Sequence, residues 1–381
     1  MPIINQVVRG SSGGGDTTGW IRREVDANGK LVVPSINAND LGLSTIKDID
    51  VSVLDSAYRN RGNSNVIGLL DLSSLTAVTG DYAAQYCFYH CTGITSIDLS
   101  SLTTATGKYC LYSCFSGCTG ITSVDLSSLQ TVGDNSFTSA FFGCTGITSV
   151  DLSSLKTINT GGSNFSSAFN GCTGITSVDL SSLQTINIGS VFANTFQGCT
   201  GLTSVSFPAL TAISGSSGMS GTFLGCTGLT SVSFPALTAI NGSSGMGVTF
   251  RGCTSLTSVS FPALTTISGS SGMSGIFRGC TSLTSVSFPA LTEIKISSVF
   301  ASAFQDCTNL TSVSFPALKS NSFGSYTNQF NNMIQGITGC TIHFPSNLDP
   351  QTGSTVISSL SGYPNFGGTN TVLVFDLPAT E

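Results

Sequence analysis

Residues 223–240 read FLGCTGLTSVSFPALTAI, and residues 250–267 read FRGCTSLTSVSFPALTTI. A third copy, FRGCTSLTSVSFPALTEI, occupies 277–294. Marking each copy by its Cys-Thr pair gives Cys91, Cys118, Cys144, Cys172, Cys199, Cys226, Cys253, Cys280 and Cys307, with steps of 27, 26, 28, 27, 27, 27, 27 and 27 residues. A fixed period of this size, with the same apolar positions in each copy, is the mark of a solenoid. In such a body each coil packs only on its neighbours, so the chain need not divide into the two or three domains its length would suggest.

The apolar positions say how each coil is built. Leu202, Val205, Phe207, Leu210 and Ile213 follow the pattern L-x-x-V-x-F-x-x-L-x-x-I, which is leucine-rich repeat spacing. Strand alternation turns Val205 and Phe207 inward and Ser204 and Ser206 outward. A second ladder lies three residues before each cysteine, from Phe88 and Phe115 to Phe277 and Phe304. A third lies four residues earlier: Phe137, Phe165, Phe192, Met219, Met246, Met273 and Phe300. The four-residue offset suggests a helical turn on the far side of each coil. Gly-Ser stretches such as SGSSGMSG at 214–221 are too easily broken for a long helix, so that side is expected to be irregular or short 3₁₀. Each buried Phe is worth about 2–3 kcal/mol relative to exposure, so these ladders and not charges hold the fold.

Composition excludes several classes. Charged residues are 8% of the chain and the formal net charge is -6. With no basic cluster, a nucleic-acid surface is not expected. No stretch has the roughly 18 unbroken apolar residues of a spanning helix, so membrane insertion is not expected either. MPIINQVVRGSSGGGDTTGW lacks a charged segment followed by an apolar core, so no signal peptide is read there, nor an anchor at the carboxy end. A protein working outside a cell would then be exported another way, or released by lysis within a virus particle.

In chain order, residues 1–18 are read as a flexible arm and Gly linker, and 19–68 as an amino-terminal cap. The solenoid follows over 69–318, and 319–381 form a carboxy-terminal cap. The apolar residues of 1–9 (MPIINQVVR) suit docking onto another virion or surface subunit by strand addition, or are a frayed terminus. Residues 19–34 read as a hairpin with Asn28-Gly29 as its turn. The last, shortened rung is CTIHFP at 340–345. Residues 349–362 read as a helix, with Asp349 as N-cap, Pro350 at its first position and Gly362 as its stop. TVLVFDL at 371–377 reads as a closing strand.

Phe-x-Gly-Cys-Thr-x-Leu-Thr-Ser-Val followed by Phe-Pro-x-Leu-Thr-x-Ile resembles the BspA-like leucine-rich repeats. The resemblance covers about 69 to 345 and implies an α/β-type solenoid dominated by parallel β, right-handed, with about ten rungs between its caps. It also implies a binding scaffold without catalysis or cofactor, as in bacterial surface adhesins and phage or prophage tail-associated proteins. The arm and Gly linker look more like the phage-encoded kind.

Chemistry has few places to reside. His90 and His343 are far apart in repeat order, and there is no nucleophile triad, metalloprotease helix or phosphate loop. Five cysteine-marked copies carry Ser206, Ser233, Ser260, Ser287 and Ser314 on the strand face where earlier ones carry Asp71, Asp98, Asp125, Asp151 and Asp179. Parallel strands bring such carboxylates about 4.8 Å apart. In water they repel by about 0.8 kcal/mol per neighbouring pair. Asp98, Asp125, Asp151 and Asp179 either take up a cation such as Ca²⁺, stay partly protonated, or splay into solvent and bond to nearby Ser hydroxyls. Tyr82, Tyr86, Tyr89, Tyr109 and Tyr112, with His90 among them, form an aromatic cluster that is either a recognition surface or cap packing. Nine of the 13 cysteines hold one repeat position, which points to packing. Cys87, Cys91, Cys114 and Cys118 sit in register on two coils, so they are buried free thiols, a four-thiolate zinc site or disulfides.

Three functional readings follow. The first is a non-enzymatic binding protein, extracellular on a phage tail or bacterial surface, that recognises a host glycan or protein and is compatible with homo-oligomers. The second is a structural virion or filament component with the solenoid as a rigid spacer, favoured by the near identity of neighbouring repeats. The third is ice binding by a regular hydroxyl array, although the outward pairs are Ser-x-Ser and lack the methyl that Thr would present.

Overall fold

The computed structural model describes residues 24–25, 31–32, 67–72, 75–158, 161–294, 296–319, 329–348, 368–369 and 372–377. The expected arm 1–9, its Gly linker and the helix at 349–362 lie outside these residues. The chain forms two compact units. One runs to Leu155 and takes in Gly162–Leu180; the other holds Lys156–Gly161 and runs from Ser181.

Each unit is a parallel-strand solenoid, and together they hold about ten turns. In the first, Ile67–Asp71, Gly93–Asp98, Ser123–Asp125, Ser149–Asp151 and Ser177–Asp179 lie side by side in one sheet. Ala77–Val78, Thr104–Ala105 and Thr131–Val132 form a second. In the second unit a six-stranded sheet runs from Thr157–Ile158 to Glu293–Ile294. Ser204–Ser206, Ser231–Ser233 and Ser258–Ser260 form a three-stranded one. Ser285–Ser287, Ser312–Ser314, Thr341–Pro345 and Val372–Leu377 complete a four-stranded one. The short rung at 340–345 and the closing strand are therefore present as read. Near the amino terminus Glu24–Val25 and Leu31–Val32 pair antiparallel, with Glu24 opposite Val32 and Val25 opposite Leu31, while the expected turn at Asn28-Gly29 lies outside the described residues.

Side-chain directions follow the alternation. Val205 and Phe207 are buried, while Ser204 and Ser206 are exposed. Phe rings stack along each core. In the first unit Phe88, Phe115, Phe141 and Phe169 have successive centroids 5.4, 5.2 and 5.2 Å apart. In the second, Phe207 and Phe234 are 4.8 Å apart, and Phe234 and Phe261 5.1 Å. Offset stacking at such distances adds about 0.5–1.5 kcal/mol to each pair beyond its burial. Coils approach so closely that a Cβ on Gly242 would run into the carbonyl oxygen of Gly215.

The far wall is where the structure departs from a helical turn. The 3₁₀ turn at Ser346–Leu348 is the only helix of any kind among the described residues. Residues 80–91 instead form a ribbon of overlapping turns. Ala83, Gln85, Cys87, Tyr89 and Cys91 each donate an N–H to the carbonyl three residues back. The alternate residues Tyr82, Ala84, Tyr86, Phe88 and His90 donate to Lys108, Cys110, Tyr112, Cys114 and Ser116 of the next coil. From Tyr82 to Cys91 every N–H is used, as buried backbone requires. Pairs of residues alternate inward and outward with a period of four: Cys87 and Phe88 are buried, while Tyr89 and His90 reach the surface. That period, and not an α-helical turn, sets the four-residue offset between the two apolar ladders.

All thirteen cysteines are buried and unpaired, as the packing reading expects. The repeat thiols bond back along the coils: Cys118 Sγ donates to the Phe88 carbonyl at 2.9 Å and Cys226 Sγ to the Phe196 carbonyl at 3.1 Å. Burial pushes the Cys226 thiol from its ordinary 9.0 up to about 12. A proton is held there, which suits a small apolar residue with one weak donor.

Candidate functional site

The ribbon of the first two coils presents the aromatic cluster. Its outward pairs are Asp81-Tyr82, Gln85-Tyr86 and Tyr89-His90, then Lys108-Tyr109 on the next coil, where Tyr112 also points out. The rings touch in an unbroken series. Tyr82 stacks on Tyr109 with centroids 5.5 Å apart and planes at 13°. Tyr109 meets Tyr112 edge-on at 5.6 Å, and Tyr112 meets Tyr86 edge-on at 5.3 Å. Tyr86 meets Tyr89 at 5.7 Å, and Tyr89 lies 4.3 Å from His90. The sequence thus named six residues that the fold gathers into one patch. Tyr82 and His90 are exposed, and the other four are half-buried.

Backbone geometry explains how the patch is held. The ribbon needs a left-handed residue every fourth position, and Tyr82, Tyr86, His90 and Tyr109 take it with φ of 59°, 59°, 57° and 55°. A bulky side chain there costs about 1–2 kcal/mol per residue. Later coils mostly place small or turn-forming residues at these positions, such as Asn135, Ser139, Ser167 and Asn194, and Gly143, Gly171 and Gly198 in the column of His90, with Val248 an exception. The His90 ring lies over Gly117, where a Cβ would meet it at 2.9 Å. The tyrosine rings are therefore set on a backbone bonded at every second residue to the next coil, by Tyr82 N–H to Lys108 and Tyr86 N–H to Tyr112.

Three further residues on this wall were not legible beforehand. Lys108 Nζ stands 5.8 Å from the Tyr109 ring centroid, and the Asp81 carboxylate accepts the Lys108 N–H at 2.8 Å. Phe142, in the column of Tyr89, is 45% exposed. An aromatic residue between Ser116 and Asn170 of that column was the available signal.

The aspartates line up as expected: Asp71 opposite Asp98, Asp125 opposite Asp151, and Asp151 opposite Asp179. Three of these carboxylates turn to the loop that follows their strand. Asp98, Asp125 and Asp151 accept the N–H of Ser100, Ser127 and Ser153 at 3.0, 2.9 and 2.9 Å. In the serine-bearing coils the corresponding loop residue is Pro208, Pro235, Pro262, Pro289 or Pro316, which has no N–H to offer. The Asp-to-Ser change therefore goes with the loss of a donor. Among the described residues no group of three or more His, Cys, Asp or Glu is placed to share a metal ion. None of their helices is long and apolar enough to cross a membrane.

Parallel strands at a 27-residue period, Phe stacks, a cysteine column and a turn-ribbon wall define a leucine-rich repeat solenoid. The sequence model of the BspA type leucine rich repeat region matches in six copies over residues 72–139, 114–244 and 219–349. The chain belongs to that family. No curated protein matches it in sequence. Among solved structures it is similar to a leucine-rich repeat protein from Bacteroides ovatus, 20% identical, with 82% of this chain and 85% of that one covered and a TM-score of 0.29. A leucine rich cell surface protein from Faecalibacterium prausnitzii is 15% identical over 81% of this chain and 79% of its own, with a TM-score of 0.29. The leucine-rich repeat protein of T. pallidum is 22% identical over 50% and 68%, with a TM-score of 0.28.

Proposed function

We propose that this protein is a non-enzymatic binding scaffold, carried on a bacterial surface or a phage tail, that recognises a host-surface glycan or protein. The observation that carries the reading is the ring series from Tyr82 to His90. Tyrosines suit recognition because they offer a large rigid face and a hydroxyl at little cost in entropy. The solenoid contributes a stiff frame, and the patch contributes contact. The Asp column serves the loops in this reading and binds no cation. Residues 1–9 would join the scaffold to a neighbouring subunit.

The test uses fluorescently labelled protein on arrays of surface glycans and surface proteins, with the Tyr86→Ser/Tyr112→Ser variant beside it. Serine stands at the equivalent positions Ser139 and Ser166, so the variant keeps the fold. Wild-type binding that the variant loses supports the proposal. Equal binding by both removes the patch from it. The spacer alternative is favoured by the near identity of the copies at 223–240, 250–267 and 277–294, and it predicts no binding by either protein.

A further inference from the structure

We infer that the ligand of the tyrosine patch is an uncharged glycan chain; the inference rests on the patch being the binding surface. The chemistry of the outward positions carries it. In the first coil these are Asp81, Tyr82, Gln85, Tyr86, Tyr89 and His90, and in the second Lys108, Tyr109 and Tyr112 lie beside them. None of these is aliphatic, whereas protein-binding centres usually add Met or Arg to their aromatic anchors. Sugars differ from peptides in the way this surface requires. Their C–H faces pack on aromatic rings, while their hydroxyls need many donors and acceptors close by. The tyrosine hydroxyls, the Gln85 amide and the His90 ring supply both kinds.

Charge points the same way. The edge carries one carboxylate, Asp81, and one ammonium, Lys108, so its formal charges cancel; the carboxylate is held by the Lys108 backbone N–H at 2.8 Å, and the ammonium stands 5.8 Å from the Tyr109 ring centroid. A polyanion would find one cation there with an anion beside it. The surface is also fixed in advance, since the stacked pair Tyr82–Tyr109 and the edge-on pair Tyr86–Tyr112 each join neighbouring coils. A ligand that meets both coils pays little for ordering them, so weak single contacts can add up along an extended chain.

The experiment titrates the full chain with cellohexaose, laminarihexaose, chitohexaose and mannohexaose, and with a polygalacturonate hexamer as the charged comparator, following tyrosine fluorescence. The expected result is saturable binding of at least one uncharged hexasaccharide, weakened tenfold or more by Tyr86→Ser/Tyr112→Ser at an unchanged melting temperature. Binding of none of the four, or of the polygalacturonate alone, overturns the inference. If the array instead shows tyrosine-dependent capture of surface proteins while no hexasaccharide binds, the recognition role stands and the glycan assignment falls. Glycan binding unaffected by the tyrosine substitutions sinks both.

Discussion

The carboxylate of Asp125 accepts two hydrogen bonds from Ser127, one from the backbone N–H at 2.9 Å and one from the hydroxyl at 2.6 Å. The equivalent residues in a later coil are Ser233 and Pro235, and the proline has no N–H to satisfy. The two loop chemistries, Asp-Leu-Ser-Ser and Ser-Phe-Pro-Ala, are therefore alternatives that each close on themselves. Asp125→Ser should cost about 0.5–1.5 kcal/mol, the usual net value of a hydrogen bond. Asp125→Ser/Ser127→Pro should recover most of that, because proline removes the orphaned donor and restricts the unfolded chain. Urea denaturation of the two single variants and the double variant measures the coupling. Additive losses would show that the two positions are independent.

The thiol column makes the protein alkali-sensitive. Burial raises Cys91, Cys226 and Cys307 from 9.0 to about 12 in the folded chain. Above pH 9 the unfolded chain gives up these protons while the folded one keeps them. Stability is thus fully present below pH 9 and is lost as pH rises toward 12, by about 1.4 kcal/mol per thiol per pH unit. Melting followed by circular dichroism from pH 8 to 11 should show a steep decline. A thiol reagent at pH 8 should find few reactive groups in the folded protein and 13 after denaturation. A melting temperature that is level across this range would contradict the burial of the column.

Phe250 sits between Phe223 and Phe277, with centroids 5.6 and 5.8 Å away, and meets Phe234 edge-on at 6.2 Å. Phe250→Ala should cost about 3–5 kcal/mol through lost burial and the cavity left behind. Since coils couple only to their neighbours, the loss should open the coils on either side first. Hydrogen exchange of the amides in 223–277 would then speed up more than that of 100–150. Ser258→Ala, on the exposed strand face, should change neither. Uniform acceleration along the whole chain would instead mean that the coils unfold as one unit.

The strand side of this fold was legible because its signal is local. Val205 and Phe207 alternate with Ser204 and Ser206, and the structure buries the first pair and exposes the second. The far wall was legible only as a spacing. A four-residue offset between Phe137 and Phe141 fits a helical turn and a turn ribbon equally well. What separates them is whether alternate N–H groups go to the same coil or to the next, and residue type does not encode that. The aromatic patch was found from its residues, since Tyr82, Tyr86, Tyr89, His90, Tyr109 and Tyr112 interrupt a background of Ser and Gly. Its left-handed backbone was not. Tyr82, Tyr86 and Tyr109 run against the preference of a bulky side chain there, so the sequence argues away from the conformation they adopt.

Gly117 and Gly143 offer a matched pair for testing how His90 is held. Both have left-handed φ, 75° and 70°, so a Cβ at either should cost about 1 kcal/mol. Their surroundings differ. A Cβ on Gly143 meets nothing within 4 Å, whereas one on Gly117 meets the His90 ring at 2.9 Å. Gly143→Ala should therefore lower stability and leave the patch as it is. Gly117→Ala should lower stability by at least as much and also push the imidazole off its seat, changing its contact with Tyr89, now 4.3 Å. The imidazole C–H resonance of His90 reports this directly. It should move in Gly117→Ala and stay in place in Gly143→Ala, and the same split should appear in binding to whatever the patch recognises. If the two variants leave the resonance equally unmoved, the ring does not rest on Gly117, and the end of the patch at His90 is looser than the ring series requires.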